Sequence, residues 1–336
     1  MTKRLDIVCM GTALIDSIIK GFDPTPVSAS GFTASSASLN VGGEAVNEVV
    51  TASRLGMRAG IMCFLGDDPA GDMIMTYLNK NMVDTSSVQR EIEHPTPVTT
   101  MFVNEDGTRK SITNSSHRFN FHPEKHPEGF TCGKAIILGS LFRAPFNDPK
   151  IISDVFLEAR SSGTLIFADT KLPNFVKLNL DDIAESLPMV DFITPNEDEA
   201  KYYTGKEDPS EMADVFLSYG IKNVLIKLGS KGFLFKNAHF AYSCPALDIR
   251  AVDATGAGDS FVAGLASELI RKLSDEKTGE IPEKILSDSN LIPEDVLKDA
   301  LDFANACGAL CTTAVGATTA LKSRKQVQAF LKEHTK

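Results

Sequence analysis

Short apolar runs and helical patterns follow one another along almost the whole chain, and this alternation limits the fold more than any other feature. Residues 5–10 read as a buried strand, 44–55 as a helix with Val46, Val49, Val50 and Leu55 facing inward, and 59–65 as a strand again. A helix follows over 69–81, then a strand at 135–138, a helix over 149–161, and strands at 165–169 and 192–194. Residues 224–228 continue as strand, and 260–273 and 295–312 as helices. Strands separated by helical segments of about 10–15 residues predict right-handed crossovers onto a mainly parallel central sheet flanked by helices, an α/β fold.

Three stretches break the rhythm. Residues 12–40 are rich in Ser, Thr, Gly and Pro, and 95–116 hold β-type runs around the turn at 104–107. Together they predict a small antiparallel sheet lying off the main one, as a lid. Residues 274–290 are charged and read as a solvated surface loop.

Charge narrows the partners. Lys+Arg total 34 against 44 Asp+Glu, a net charge of −10 with no compensating basic block. Binding to nucleic acid or an anionic membrane surface is therefore not expected. No apolar run reaches the ~20 residues of a membrane span, and Met1-Thr2-Lys3-Arg4 leads into no signal-peptide pattern, so the chain reads as soluble and cytoplasmic. The six cysteines lie in apolar contexts without a C-x-x-C, and His117, His122 and His126 sit in a Pro-rich loop. Buried free thiols and no Cys/His metal centre are the expectation.

The densest local signal is Asp253-Ala-Thr-Gly-Ala-Gly-Asp259, preceded by a strand-like 249–252 and followed by an amphipathic helix. Gly256 and Gly258 allow a tight turn in which successive N–H groups point into one concavity, an anion nest at a helix N-terminus. Asp259 sits at its mouth. A carboxylate there would repel a bound phosphate, but it is in place to take a proton from a hydroxyl attacking one. From these residues alone Asp259 reads equally well as a helix cap. A P-loop is absent, and the glycine spacing does not fit a dinucleotide fingerprint.

A second constellation is Asn40-Val41-Gly42-Gly43-Glu44-Ala45-Val46-Asn47, with Asp16 after the first strand. The glycine pair permits close approach of a ligand, and Asp and Asn side chains suit polyol hydroxyls. A helix-flanking Gly-Gly with a surface Asn fits the same residues.

These segments resemble the ribokinase-like carbohydrate kinases, the PfkB family, over nearly the whole chain. The N-terminal signature is similar to Gly42-Gly43 through Asn47, Leu55-Gly56 and Gly66-Asp67-Asp68 to Gly71, and the C-terminal one to Asp253 through Asp259. Pro195-Asn196 to Ala200 and Leu228-Gly229-Ser230-Lys231-Gly232 match two further motifs. The resemblance implies a single ribokinase-like three-layer α/β domain over 1–336, with a β-sheet lid formed by about 12–40 and 95–116. It implies ATP-dependent transfer of a phosphoryl group to a sugar hydroxyl. Asp259 would be the catalytic base, with the backbone of Gly256, Ala257 and Gly258 as the anion hole. Asp16, Gly42, Gly43 and Asn47 would hold the sugar. Asn196 and Glu199 would position Mg²⁺ and the ATP phosphates through water, and Lys227, Gly229, Gly232 and Asn305 would line the nucleotide side. Asp253, Thr255 and Gly316 match positions used for K⁺. A homodimer through the lid is a further expectation.

The chain departs from the family pattern in places. Asp169-Thr170-Lys171-Leu172-Pro173-Asn174 stands where many relatives carry Asp-x-Asn-x-Arg, and Glu48 and Val49 replace a small residue. Lys171 reads either as a contact to the transferred phosphoryl group or an acidic substrate, or as a solvated loop lysine. Alternatives to a sugar kinase are a nucleoside kinase stacking its base on Phe22, Phe32 or Phe102, and a sugar-phosphate kinase clamping with Lys171, Arg109 or Arg143. Outside that class stands a non-catalytic nucleotide or sugar sensor, against which the intact Asp259 and Glu199 argue.

Overall fold

The first strand, Leu5–Met10, has an apolar residue at almost every position because both its faces are covered. Ile7 and Cys9 enter one core, and Val8 and Met10 enter another. The computed structural model describes residues 4–21, 33–103, 108–114, 121–174 and 176–334. In it an eight-stranded sheet runs Ala241–Cys244, Phe233–Asn237, Asn223–Lys227, Phe192–Ile193, Leu165–Thr170, Gly133–Leu141, Leu5–Met10, Ala59–Met62. Pairings from Asn223–Lys227 through to Ala59–Met62 are parallel; the two that add the 233–244 hairpin are antiparallel. Helices Glu44–Arg54, Ala257–Leu273 and Glu294–Cys311 bury their apolar stripes on one face. Pro149–Ser161, Glu197–Thr204 and Pro209–Ser218 cover the other.

Three helices start on the same local device. Asp68, Asp148 and Asp208 each precede a proline and accept hydrogen bonds from first-turn amides, while the proline occupies the position where its missing N–H costs nothing. Phe167 and Phe192, on adjacent strands, stack with ring centroids 4.6 Å apart and planes 5° from parallel.

A separate four-stranded sheet has the order Ser36–Gly42, Leu14–Lys20, Val98–Val103, Arg109–Thr113. Its central pair, Leu14–Lys20 with Val98–Val103, is parallel, which corrects the antiparallel expectation. The chain passes through two helices and the Ala59–Met62 strand between them, so it re-enters running the same way. The turn at 104–107, Phe22, Phe32 and His117 lie outside the described residues, as does the side chain of Arg109. The 274–290 stretch is also not a simple solvated loop. Ile281 and Ile285, four residues apart, drop into the core beside the short helix Glu283–Ser287.

Truncating Phe167 to Ala empties a stacked, fully buried site. Urea titration is expected to show a loss of about 3–5 kcal/mol; a loss near zero would show that this core does not anchor the sheet.

Candidate active site

The C-terminal ends of three neighbouring strands meet at one carboxylate. Asp169, near the end of Leu165–Thr170, is fully buried. Its Oδ1 accepts from Thr194 Oγ1 at 2.7 Å and from Lys227 Nζ at 2.5 Å, and its Oδ2 accepts from Lys171 Nζ at 2.7 Å. Burial pushes this acid upward, but Lys171 and Lys227 outweigh it and hold Asp169 below the ordinary carboxylate range. Lys171 is therefore no solvated loop lysine. Burial opposes its charge, yet Asp169, Asp259 and Glu199 raise its pKa well above the usual value.

Across from Asp169 the Ala257–Leu273 helix begins. Gly256, at φ 75°, makes the turn into it, and a Cβ there would lie 2.4 Å from that of Ala317. Asp253 fixes this loop from beneath: Oδ1 accepts from the amide and hydroxyl of Thr255, and Oδ2 accepts from the amide of Gly316 at 2.8 Å. The Ala257 N–H donates to the Ala254 carbonyl at 3.2 Å, whereas those of Gly258 and Asp259 have no carbonyl partner among the described residues. They are open donors at the positive end of a 17-residue helix.

Asp259 lies in that first turn and is 9% exposed. Its Oδ2 accepts from Asn47 Nδ2 at 2.8 Å, and its Oδ1 is 3.9 Å from Lys171 Nζ. Burial raises its pKa, with Asp169 and Glu44 adding to the rise and Lys171 and the Asn47 hydrogen bond opposing it. Asn47 is set by Gly43, which caps the Glu44–Arg54 helix at φ 101° and approaches the Thr12 carbonyl so closely that a Cβ would sit 2.2 Å from it. Asn47 Oδ1 is buried without a hydrogen-bond partner among the described residues. Gly42 makes room for Asp16, whose Oδ2 would lie 2.4 Å from a Cβ at that position; burial raises the Asp16 pKa.

Beside the helix start opens a cleft of about 570 Å³. Lys227, Gly229, Gly232 and Asn305 line it together with Ala257 and Gly258, so the residues named for the nucleotide side share one cavity with the head of the helix. Leu247 and Ile249 form its apolar wall. The expected strand at 249–252 is not formed; this segment is irregular and is turned into the cleft wall instead. Asn196 and Glu199 form a reciprocal capping box at the head of Glu197–Thr204, and Thr170 Oγ1 also donates to Glu199 Oε2 at 2.9 Å. Glu199 is nearly buried, and burial followed by Asp169 raises its pKa.

Sequence reading missed Asp169 and Glu48 as site residues. Asp169 was visible as an acid ending an apolar run, a position that in a parallel sheet faces the ligand crevice.

A family model described as pfkB family carbohydrate kinase matches residues 4–324. Probable fructokinase-2 of Arabidopsis thaliana is 28% identical over 334 residues, covering 97% of this chain and 95% of that protein. Ribokinase of Staphylococcus aureus is 25% identical, with 85% of this chain and 86% of that one covered. The structure of Arabidopsis thaliana ribokinase complexed with ribose and ATP superposes with a TM-score of 0.78 at 21% identity, over 98% and 99% of the two chains. The fold is ribokinase-like, and the chain belongs to the pfkB family of carbohydrate kinases. It is a sugar kinase, a phosphotransferase.

A raised carboxylate pKa means the folded state binds its proton more tightly than the unfolded one. Stability therefore falls as pH rises from the ordinary value of 3.8 through the folded value, and the penalty persists above it. Asp259→Asn removes that penalty. Urea unfolding should show the variant more stable than the parent at pH 7, with the difference vanishing below pH 3.8; a less stable variant at pH 7 would contradict the assignment.

Proposed function

We propose that the chain transfers the γ-phosphoryl group of ATP to a hydroxyl of an uncharged sugar, with Asp259 as general base. The observation that carries the reading is the placement of a buried carboxylate next to two open amides at a helix N-terminus, on the rim of a nucleotide-sized cleft. ATP would lie along the cleft, its terminal phosphates reaching the Gly256–Asp259 turn. The sugar would lie against Asp16, Gly42, Gly43 and Asn47. Asn47 holds one oxygen of Asp259 and leaves the other for the proton. As the acceptor oxygen bonds to phosphorus, its proton passes to Asp259 and the bond to the β–γ bridging oxygen breaks, releasing ADP. The open amides face the negative charge spread over the transferred oxygens.

Among the described residues, the cations favour an uncharged acceptor over a sugar phosphate. Lys171 and Lys227 are both committed to Asp169, and Arg143 Nε donates to the Leu172 carbonyl at 2.8 Å. The sugar side is instead lined by carboxylates. The separate sheet would close over the sugar and exclude water.

Mg²⁺ would arrive with ATP and neutralise its phosphate charge. Glu199 suits such a hard cation through water, since direct ligation would compete with the capping box its Oε2 completes. K⁺ would be held beside the turn by the segment around Asp253, Thr255 and Gly316, where Asp253 orders the loop through Thr255 and Gly316 and the carbonyls of Thr255 and Ala317 converge on Cys311 Sγ at 3.5 and 3.0 Å.

ATP consumption against a panel of sugars and nucleosides tests the activity, and turnover with a neutral hexose or pentose is the expected result. A flat panel with ligand-induced melting shifts would favour a sensor. Aminoimidazole riboside kinase of Salmonella typhimurium is 27% identical over 301 residues, so ribosides belong in the panel. Asp259→Asn should lower kcat by roughly 10²–10⁴ while ATP still binds by calorimetry. Replacing K⁺ by Na⁺ should lower the rate several-fold; equal rates would remove K⁺ from the scheme.

A further inference from the structure

Glu48 is an acid of this region to which the scheme above gives no task. It is fully buried, and neither carboxylate oxygen has a hydrogen-bond partner among the described residues. Gly139 opposite it has no side chain, and a Cβ at that position would approach Glu48 Oε2 to 2.9 Å. One oxygen each of Glu48, Asp169 and Asp259 lie within 4.8 Å of one another. Such a trio suggests a metal, but the cation is already present: the Lys171 ammonium, 2.7 Å from Asp169 and 3.9 Å from Asp259.

We propose that Lys171 is the positioning residue that keeps Asp259 ionised among its acidic neighbours, and that Glu48 stands beside them as a neutral carboxylic acid. This rests on the general-base reading of Asp259. The groups facing Asp259 come from every side. Glu44, Asn47 and Glu48 project from one helix, Cys9 from the first strand, Asp169 and Lys171 from the end of another, and Lys227 lies against Gly258. Cys311 approaches from the last long helix. Of these only the lysines are cationic, and Lys227 is occupied with Asp169. Three ionised carboxylates, Glu48, Asp169 and Asp259, about the two ammoniums of Lys171 and Lys227 would leave one net negative charge buried, which a proton on the unpartnered Glu48 relieves. Burial, then Asp259 and Asp169, hold Glu48 far above the ordinary carboxylate value, in agreement with that state.

The test is the pH dependence of kcat, whose acid limb reports the base in the ternary complex. A lost Lys171 charge raises the Asp259 pKa, so the limb moves to higher pH. For Lys171→Met we expect a displacement of about one unit or more, a roughly tenfold fall in kcat on the acid side that recovers at alkaline pH. Lys171→Arg should restore the limb. A loss equal at every pH, or an unmoved limb, would overturn the role of Lys171. Glu48→Gln replaces a neutral acid by a neutral amide of the same shape and should leave the limb in place. A limb moved to lower pH would show that Glu48 is ionised and overturn that half. Asp259→Asn in the same assay separates the two levels. If it turns over like the parent, the base reading itself fails; if it is inactive while Lys171→Met keeps the parental limb, only the present inference does. Melting curves of each variant with and without ATP confirm that folded protein is being compared.

Discussion

Asp169 is an anion with no access to water, and the geometry of the site follows from how that burial is tolerated. A buried carboxylate is stable only when charge and hydrogen bonds surround it, and removing one partner of such a cluster typically costs about 3–5 kcal/mol. Here the partners come from consecutive strand ends: Thr194 beyond Phe192–Ile193, Lys227 at the end of Asn223–Lys227, and Lys171 just past its own strand. The carboxylate therefore ties the C-terminal edge of the sheet together where a ligand crevice must open. It also fixes both lysines, one against Gly258 and the cleft, the other in front of Asp259. Charge placement and strand alignment are a single constraint.

The elements that read well from the sequence were those whose signal is local. Residues 149–161 form a helix with those bounds because an Asp-Pro start and an apolar stripe lie within one window. The 253–259 turn was legible because two glycines beside an acid demand a bend before a helix, and Gly256 does adopt a left-handed conformation. Glu197–Thr204 and Pro209–Ser218 escaped notice although Asn196-Glu199 and Asp208-Pro209 are helix-start signals, because both helices are short and the first is strongly polar. The hairpin Phe233–Asn237 and Ala241–Cys244 was missed for the opposite reason, since one strand is apolar and the other alternates.

What no window could supply is the set of long-range partners. Asn47 and Asp259 are 212 residues apart, and Lys227 and Asp169 are 58 apart. The two departures, Lys171 and Glu48, looked unrelated in the sequence and turn out to face the same carboxylates. The parallel pairing in the separate sheet belongs to the same class of fact, because alternation tells which face is buried but not which way a neighbour runs.

The same cluster explains why binding and stability pull in opposite directions here. A helix N-terminus with two open amides, a buried Asn oxygen without a partner among the described residues and an acid raised by burial each cost stability. Phosphate oxygens would satisfy the amides, and a sugar hydroxyl would satisfy the Asn oxygen and the acid. On that scheme ligand binding would relieve a cost that the scaffold must otherwise offset, and two apolar cores on the two faces of the sheet are there to offset it. A site filled by internal hydrogen bonds would be more stable and would have nothing left to offer a transferring phosphoryl group. On the proposed scheme, catalytic capacity would therefore be carried by the polar atoms that folding leaves unpaired.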